Sequence, residues 1–348
     1  MKAGIIGARG AGKSTVFRAL TGLPPLEAHA GQKGRARVGQ IKVPDPRLDF
    51  LNVLYNSEKK IQTEINLLDF APNPKEQAAK AALDASLVPL IRDIDALLIV
   101  IPRFSSPSVE VARVIEDVDA ELVFVDLDQV ERRLQRLAKE GRGGDFERAT
   151  LKKCHACFDA GCPLRTLDLT AQEIKTISSF GFASQKPALA VVNYEAQGGP
   201  VEFSAAATES ARVHGLELFA LDALLESELW ELDPSQQLDM LKAAGLELPA
   251  GARLIRALYR CLGLITFYTA GPSESRAWSL AKGATALEAA AEIHSDIARG
   301  FIRAEVISFE DLERLGSEAK VREAGRLRLE SRDYVIKDGD IIHVRFKA

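Results

Sequence analysis

The sequence predicts an α/β fold, and three features of the chain support that prediction. The N-terminal stretch AGIIGARGAGKST reads as an apolar strand, a glycine-rich loop and the start of a helix. Two further apolar runs end in polar residues, EINLLD (64–69) and KPALAVVN (186–193). Between them, an amphipathic helical pattern leads into the strand-sized run ALLIVI (96–101), so strands and helices alternate along the chain.

The composition is that of an ordinary globular protein, and 348 residues give room for two or three domains. The net charge of −4 supplies no overall basic field, so contact with a nucleic acid would need a local patch. The start of the sequence lacks the apolar run of a signal peptide, and ALLIVI is too short to span a membrane. Four cysteines in a chain of this length suggest no disulfide framework. We therefore expect a cytoplasmic protein without membrane contact.

The glycine-rich loop carries the clearest chemical signal. It fits the P-loop pattern G-x-x-x-x-G-K-[ST], in which backbone amides surround phosphate oxygens, the lysine reaches the outer phosphates and the serine binds Mg²⁺. A chance glycine-rich turn is the alternative, and the position of the pattern at the first strand–helix junction argues against it. We expect ATP or GTP, with Mg²⁺, to be bound by Gly7, Arg9, Gly10, Ala11, Gly12, Lys13, Ser14 and Thr15.

Asp69 is the candidate for a second magnesium contact. It ends the strand EINLLD, where a carboxylate can hold Mg²⁺ through a water molecule opposite Ser14. The alternative is an ordinary acid at a strand end, and the P-loop upstream favours the metal role. The predicted metal ligands are therefore Ser14 and Asp69, and the sequence identifies no catalytic residue.

The C-terminal region resembles a known family. The segments RLIRALYRCLGLITFYTAGPSESRAWSLAKGATALEAAAEIHSDIARGFIRAEVI (253–307) and EAGRLRLESRDYVIKDGDIIHVRF (323–346) are similar to the end of the YchF/Obg-like ATPase family. The similarity extends to VPDPRLDFL (43–51), LIRDIDALLIVI (90–101) and DLDQVERRLQRL (126–137), and so covers most of the chain.

This resemblance implies three parts. They are a P-loop NTPase (G) domain at 1–107 and 184–264, a helical arm inserted at 108–183, and a C-terminal β-grasp (TGS-like) domain at 265–348. From the residues alone, DYVIKDGDIIHVRF (333–346) predicts two strands joined by an Asp-Gly turn.

The middle of the chain predicts a pair of helices. Apolar residues alternate in steps of four and three to form a seam, and KEGRGGD (139–145) breaks the pattern before a second helix with its own apolar face. The seam consists of Val123, Leu127, Val130, Leu134 and Leu137, and the facing residues are Leu151, Cys154 and Phe158. Thr170 and Glu173 then form a capping box for a short helix. The family places a coiled-coil-like projecting arm here, and a helical pair packed back on the sheet is the alternative.

The segment after the strand 186–193 bears on base selectivity. GTPases place Asn-Lys-x-Asp there, whereas the family ends this tetrad in glutamate, which accompanies a preference for adenine. This sequence has Asn193-Tyr194-Glu195-Ala196, so neither acid holds the fourth position. We expect ATP, or a permissive site, rather than strict GTP binding. The predicted residues at the base are Asn193, Tyr194, Glu195, Ser204 and Ala205.

The segments that sense the terminal phosphate differ from the family pattern. Lys33 stands where the family has its switch threonine, and Pro72, which has no amide N–H, replaces the glycine of Asp-x-x-Gly. Residues 30–154 contain no histidine, so the family's water-positioning histidine has no counterpart. We expect nucleotide binding with slow or impaired hydrolysis. The alternative is that Lys33, Arg35 or Arg37 supplies charge to the γ-phosphate and restores activity.

The resemblance implies a nucleotide-dependent regulator of the ribosome, of translation or of a stress response. Residues 320–348 contain eight Lys/Arg and five acids, a local excess of positive charge that permits RNA contact through the arm and the TGS-like domain. We expect a monomer. The alternatives are a catalytically inactive, nucleotide-gated scaffold for a protein partner and a P-loop kinase of a small molecule, which the TGS-like tail argues against.

Overall fold

The computed structural model describes residues 1–23, 36–70, 87–103, 110–140, 144–195, 202–243 and 249–347. The chain divides into two compact units, Met1–Ile41 with Asn66–Leu254 and Lys42–Ile65 with Ile255–Ala348. Each unit contains a six-stranded sheet among the described residues.

The strands are β1 (Lys2–Ile6), β2 (Ala36–Lys42), β3 (Lys59–Ile61), β4 (Glu64–Phe70), β5 (Ala96–Pro102), β6 (Ala188–Asn193), β7 (Glu217–Leu221), β8 (Leu264–Ala270), β9 (Glu274–Ala281), β10 (Phe301–Ser308), β11 (Arg328–Glu330) and β12 (Asp340–Phe346). The helices are α1 (Lys13–Thr21), α2 (Pro46–Leu54), α3 (Val88–Arg92), α4 (Val111–Glu140), α5 (Asp145–Asp159), α6 (Ala171–Ile177), α7 (Ala205–Val213), α8 (Ala223–Leu229), α9 (Pro234–Ala243), α10 (Ala250–Cys261), α11 (Ala286–Ile293), α12 (Ser295–Arg299), α13 (Phe309–Leu315) and α14 (Glu318–Glu323).

The first unit confirms the predicted α/β fold. Its sheet has the order β2-β4-β1-β5-β6-β7, and the pairs from β4 to β7 are parallel. The strand β5 is buried along almost its whole length, as the continuous apolar run ALLIVI predicts for the middle of a parallel sheet. Because the paired strands are parallel, their carboxyl ends lie at one edge of the sheet, where ligands bind in this class of fold.

The long helix α4 serves two hydrophobic cores. Its N-terminal half, with Val111, Ile115 and Val118, packs into the core of the first sheet. Its C-terminal half belongs to a second cluster with α5, which contains the predicted seam residues and their predicted partners Leu151, Cys154 and Phe158. The paired helices of the arm are therefore confirmed, and the sheet itself is covered by the first half of α4.

The arm is joined to the sheet by backbone and side-chain hydrogen bonds. The buried carboxylate of Asp126, in the middle of α4, accepts hydrogen bonds from the amides of Ala183 and Ser184 at 2.9 and 2.7 Å. The predicted capping box begins α6, with Thr170 and Glu173 each accepting from the backbone amide of the other. The Asp126 contacts satisfy groups that burial would otherwise leave without partners, whereas the capping box satisfies amides at the exposed start of α6.

The second unit contains a mixed sheet with the order β11-β10-β12-β8-β9-β3. The strands β8 and β9 form an antiparallel hairpin, β10 pairs antiparallel with β12, and β12 lies parallel to β8. The helix α11 packs its alanines, Ala286, Ala289 and Ala290, into the core of this sheet. One helix packed on a mixed sheet fits the β-grasp architecture that the resemblance implies.

The segment VPDPR begins α2 and forms a polar cluster in the second unit. The Asp45 side chain caps the helix by accepting from the amide of Arg47 at 3.0 Å. The Arg47 guanidinium donates to both oxygens of Asp45 at 3.0 Å and to Asp338 at 2.6 Å. Asp338 in turn accepts from the amide of Thr266 on β8. The segment is thus a structural connection between α2 and the sheet.

The prediction of two strands in residues 333–346 is wrong for the first strand. Only β12 is a strand, and Val335 makes an isolated bridge to Thr285. The backbone of this segment pairs instead with the start of α11, since Ala286 donates to the Tyr334 carbonyl and Ile336 to the Ala284 carbonyl. These partners lie far away in sequence, so local alternation could not reveal them.

The predicted domain boundaries at 107/108, 183/184 and 264/265 stay a prediction. In the structure, residues 42–65 group with the C-terminal residues, because β3 pairs in parallel with β9. Among the described residues, no helix combines the length and the apolar character that crossing a bilayer requires.

Candidate nucleotide-binding site

The loop between β1 and α1 has a backbone that only glycine adopts readily. Gly7, Gly10 and Gly12 have φ values of 141°, 81° and 87°. At Gly7 a Cβ atom would lie 2.4 Å from the carbonyl oxygen of Val100 on β5, far inside van der Waals contact. The loop can therefore wrap close to the sheet edge, with the N-terminus of α1 following it and no side chain capping that helix end. Such an uncapped N-terminus attracts anions.

Lys13 folds back onto this loop. Its ammonium group donates hydrogen bonds to the carbonyl oxygens of Gly7 and Ala8, at 2.7 and 2.9 Å. Burial lowers the pKa of Lys13, and the charge of Asp69 opposes that shift. The positive charge is thus held beside the loop, where a polyphosphate would meet it.

Asp69 lies next to the loop because β4 and β1 are parallel neighbours, with Asp69 paired in register with Ile5. Asp69 is 3% exposed, and its Oδ1 atom has no hydrogen-bond partner among the described residues. Burial raises the pKa of the Asp69 carboxyl, and a hydrogen bond with Ser14 acts in the opposite direction. The structure therefore brings together Ser14 and Asp69, the two predicted metal ligands.

This pair fits a magnesium ion. Mg²⁺ binds oxygen atoms and is usually held by one or two protein groups together with water and phosphate oxygens. A buried carboxylate oxygen without a partner among the described residues, next to a serine hydroxyl, offers that donor set. The role of the two residues as ligands stays a prediction.

Asn193 reaches the loop from the end of β6. Its Nδ2 donates to the carbonyl of Ala11, and its Oδ1 accepts from the amide of Ala223 at the start of α8, both at 3.2 Å. Asn193 is 4% exposed, so both hydrogen bonds of its side-chain amide lie in the protein interior. The sequence did not predict this connection, because Ala223 carries no motif and only tertiary structure brings it close. A contact of Asn193 with the base stays a prediction.

The other predicted base residues occupy separate elements. The amide of Tyr194 donates to the carbonyl of Leu221 at 3.1 Å, and Glu195 is exposed. Ser204 caps α7 by accepting from the amide of Ala207 at 3.1 Å, and Ala205 is the first residue of that helix. Their contacts with a base stay predictions.

The remaining predicted loop residues follow the motif. Arg9 and Gly10 are exposed at the loop tip, Ala11 is buried, and Thr15 is half-buried on the first turn of α1. Lys33 and Arg35, as well as Pro72, lie outside the described residues, so the expectations about the switch segments stay sequence-based.

Comparison with known proteins decides the family. The chain is 35% identical to "Ribosome-binding ATPase YchF" of Pasteurella multocida, over 100% of this chain and 99% of that protein. The protein of the same name from Bacillus subtilis is also 35% identical, over the full length of both chains. The chain belongs to the YchF family.

Two further comparisons agree with that membership. The family model YchF-GTPase_C, described as a protein of unknown function (DUF933), matches residues 264–347. The solved structure of the Schizosaccharomyces pombe YchF GTPase superimposes with a TM-score of 0.85, covering 99% of this chain and 97% of that chain at 23% identity. The latter likeness shows that this YchF-family chain has the same fold.

Proposed function

We propose that this YchF-family chain binds ATP with Mg²⁺ and acts as a nucleotide-dependent regulator associated with the ribosome in the cytoplasm. The observation that carries the proposal is the glycine-shaped loop with Lys13 folded over it and, on the adjacent strand, the oxygen of Asp69 that has no partner among the described residues. The name "Ribosome-binding ATPase YchF", carried by relatives that match the full chain, supports the ribosome as partner.

Different residues of the site bind different parts of the triphosphate. On binding, the Lys13 ammonium exchanges its two carbonyl partners for phosphate oxygens, while the loop amides and the N-terminus of α1 surround the inner phosphates. Ser14 and Asp69 would hold Mg²⁺, which neutralises charge on the outer phosphates when bound. Asp69 is buried, so little water screens the charge of its carboxylate.

ATP is proposed over GTP because the sequence lacks the aspartate that binds the guanine N–H donors. Glu195 lies one position before the place where the family has its glutamate. The proposed preference for ATP therefore depends only on the absence of the guanine-binding aspartate. Slow hydrolysis is proposed from Lys33 and Pro72, which replace the expected threonine and glycine of the switch segments.

Calorimetric titration tests nucleotide binding. We expect a non-hydrolysable ATP analogue with Mg²⁺ to bind at least about tenfold more tightly than the matching GTP analogue. Lys13→Ala should weaken binding by roughly 10²–10⁴-fold, since it removes two charge-assisted hydrogen bonds to phosphate of about 1.5–3 kcal/mol each. Lys152→Ala, at an exposed position on α5, is the matched control and should bind as the wild type does.

The proposal fails if neither nucleotide binds at millimolar Mg²⁺. It also fails if Lys13→Ala binds as tightly as the wild type, because the loop would then not be the binding site.

A further inference from the structure

Arg37 lies on β2 and contacts α1, the helix that follows the glycine-rich loop. Its guanidinium carbon is 4.7 Å from the centre of the Phe17 ring, a cation–π arrangement. Phe17 is fully buried on α1. At Gly39, two residues along β2, a Cβ atom would lie 2.8 Å from the Phe17 ring, so the glycine leaves room for the ring that supports Arg37.

The guanidinium keeps unused hydrogen-bonding capacity. Its Nη1 atom is buried and has no hydrogen-bond partner among the described residues. Stacking on an aromatic face occupies the flat side of a guanidinium and leaves its N–H donors, which lie in the plane, free to bind an anion. A buried donor of a charged group without a partner is costly, so this arrangement points to a ligand.

Asp69 shows where that ligand would be. Its strand β4 is the neighbour of β2 in the first sheet, and the Val43 amide donates to the Thr63 carbonyl at one end of this strand pair. Arg37 and Asp69 lie near the other end, so the two groups are close together. Asp69 also has a buried oxygen without a partner in the part of the chain that the structure describes. One site therefore contains both an unpaired donor on a cation and an unpaired acceptor on an anion, as far as the described residues extend.

We propose that Arg37 binds the terminal phosphate of a nucleoside triphosphate held at the P-loop, and so distinguishes a triphosphate from a diphosphate. The inference rests on the function proposed above. The loop amides serve the inner phosphates, whereas the metal side of a P-loop site, marked by Asp69, faces the β- and γ-phosphates. Arg37 lies on the Asp69 side, and a guanidinium is well suited to bind phosphate through two parallel hydrogen bonds.

Calorimetry with two nucleotides tests this role. Arg37→Met keeps an unbranched apolar side chain against Phe17 and removes the charge. We expect it to weaken binding of a non-hydrolysable ATP analogue by roughly 10–100-fold, the size of a lost charge-assisted hydrogen bond, and binding of ADP by less than about threefold. Arg37→Lys keeps the charge without the planar fork and should fall between wild type and Arg37→Met.

The matched control is Arg132→Met, which removes an exposed arginine that pairs with Asp128 on α4. It should bind both nucleotides as the wild type does. The thermal unfolding midpoint of each variant shows whether the fold is kept, and Arg37→Lys supplies the comparison if Arg37→Met is unstable.

Two results would overturn the role of Arg37. One is an unchanged ratio of ATP-analogue to ADP affinity in Arg37→Met and Arg37→Lys, whether both affinities fall together or neither falls. Binding that still depends on Lys13 would then leave the proposed function standing. The other is a wild-type protein that binds neither nucleotide, which would overturn the proposed function and this inference together.

Discussion

Single residues of the site show what a motif can and cannot reveal. The spacing of the glycines, Lys13 and Ser14 is sufficient to predict the loop and its neighbours, because the phosphate-binding geometry needs those residue types in that order. The pattern could not reveal that the Lys13 ammonium rests on the carbonyls of Gly7 and Ala8. That contact depends on the folded loop.

The hydrogen bonds of Asn193 are a second feature that the motif could not predict. The motif predicts a role for Asn193 at the base, which stays a prediction, and it does not predict the hydrogen bonds of the amide to Ala11 and Ala223. A buried amide must satisfy both its donor and its acceptor, and the nearest partners were backbone groups of the loop and of α8. Motif comparison alone does not contain that information.

Hydrolysis is predicted to be slow. Loss of an oriented group for the attacking water costs about 10²–10⁴-fold in rate, or roughly 3–5 kcal/mol. Against an enzyme turnover of about 10 s⁻¹, this places single-turnover ATP hydrolysis below about 0.1 s⁻¹. The measurement is phosphate release from radiolabelled ATP with excess protein, with Lys13→Ala alongside. Rapid turnover that depends on Lys13 would contradict the prediction and favour a compensating charge such as Arg37.

At the scale of elements, the periodic pattern of α4 and α5 was sufficient to predict their pairing. The step of four and three residues placed Val130 and Leu137 on one face, and the structure packs them with Leu151 and Phe158. By contrast, the hydrogen bonds that join these helices to the rest of their unit are made with residues far away in sequence. The pairing of Asp126 with the amides that follow the arm has no local signature.

Packing in the arm gives a stability prediction. Leu151 is fully buried in the cluster that contains Val130, so Leu151→Ala should lower the free energy of unfolding of the first unit by about 2–5 kcal/mol through the cavity it leaves. Phe124→Ala, at a site 73% exposed on α4, should change it by less than about 0.5 kcal/mol. The midpoint of urea unfolding, followed by circular dichroism, measures both. Equal midpoints for the two variants would show that the seam contributes little.

For the whole molecule, alternating strands and helices predicted the class of the first unit, and the resemblance of the C-terminal region predicted a β-grasp module. Neither could predict that β3 (Lys59–Ile61) is an edge strand of the second sheet. The run KKI has no alternation to mark it, and its partner strand β9 begins more than two hundred residues later. Pairings over such separations depend on the folded chain.

Association with the ribosome is the prediction for the whole chain. We expect the protein to co-sediment with ribosomes, more strongly with an ATP analogue than without nucleotide, and Lys13→Ala to lose that nucleotide effect. Binding should weaken as salt rises, because contacts to RNA phosphates release counterions. Arg212→Ala, at an exposed position on α7 outside the arm and the TGS-like domain, is the control and should keep the nucleotide effect. Absence of co-sedimentation in every nucleotide state would favour a scaffold that binds a protein partner.

The position of Asn193 between two backbone groups has a consequence for observing this site. The side-chain amide of Asn193 is hydrogen-bonded to the carbonyl of Ala11 and to the N–H of Ala223. Hydrogen bonds in such a chain polarise one another, so a change at the Ala11 carbonyl alters the hydrogen bond of the Ala223 N–H. The chemical shift of the Ala223 amide proton should therefore report on nucleotide binding at the loop, although Ala223 itself is not a predicted nucleotide ligand.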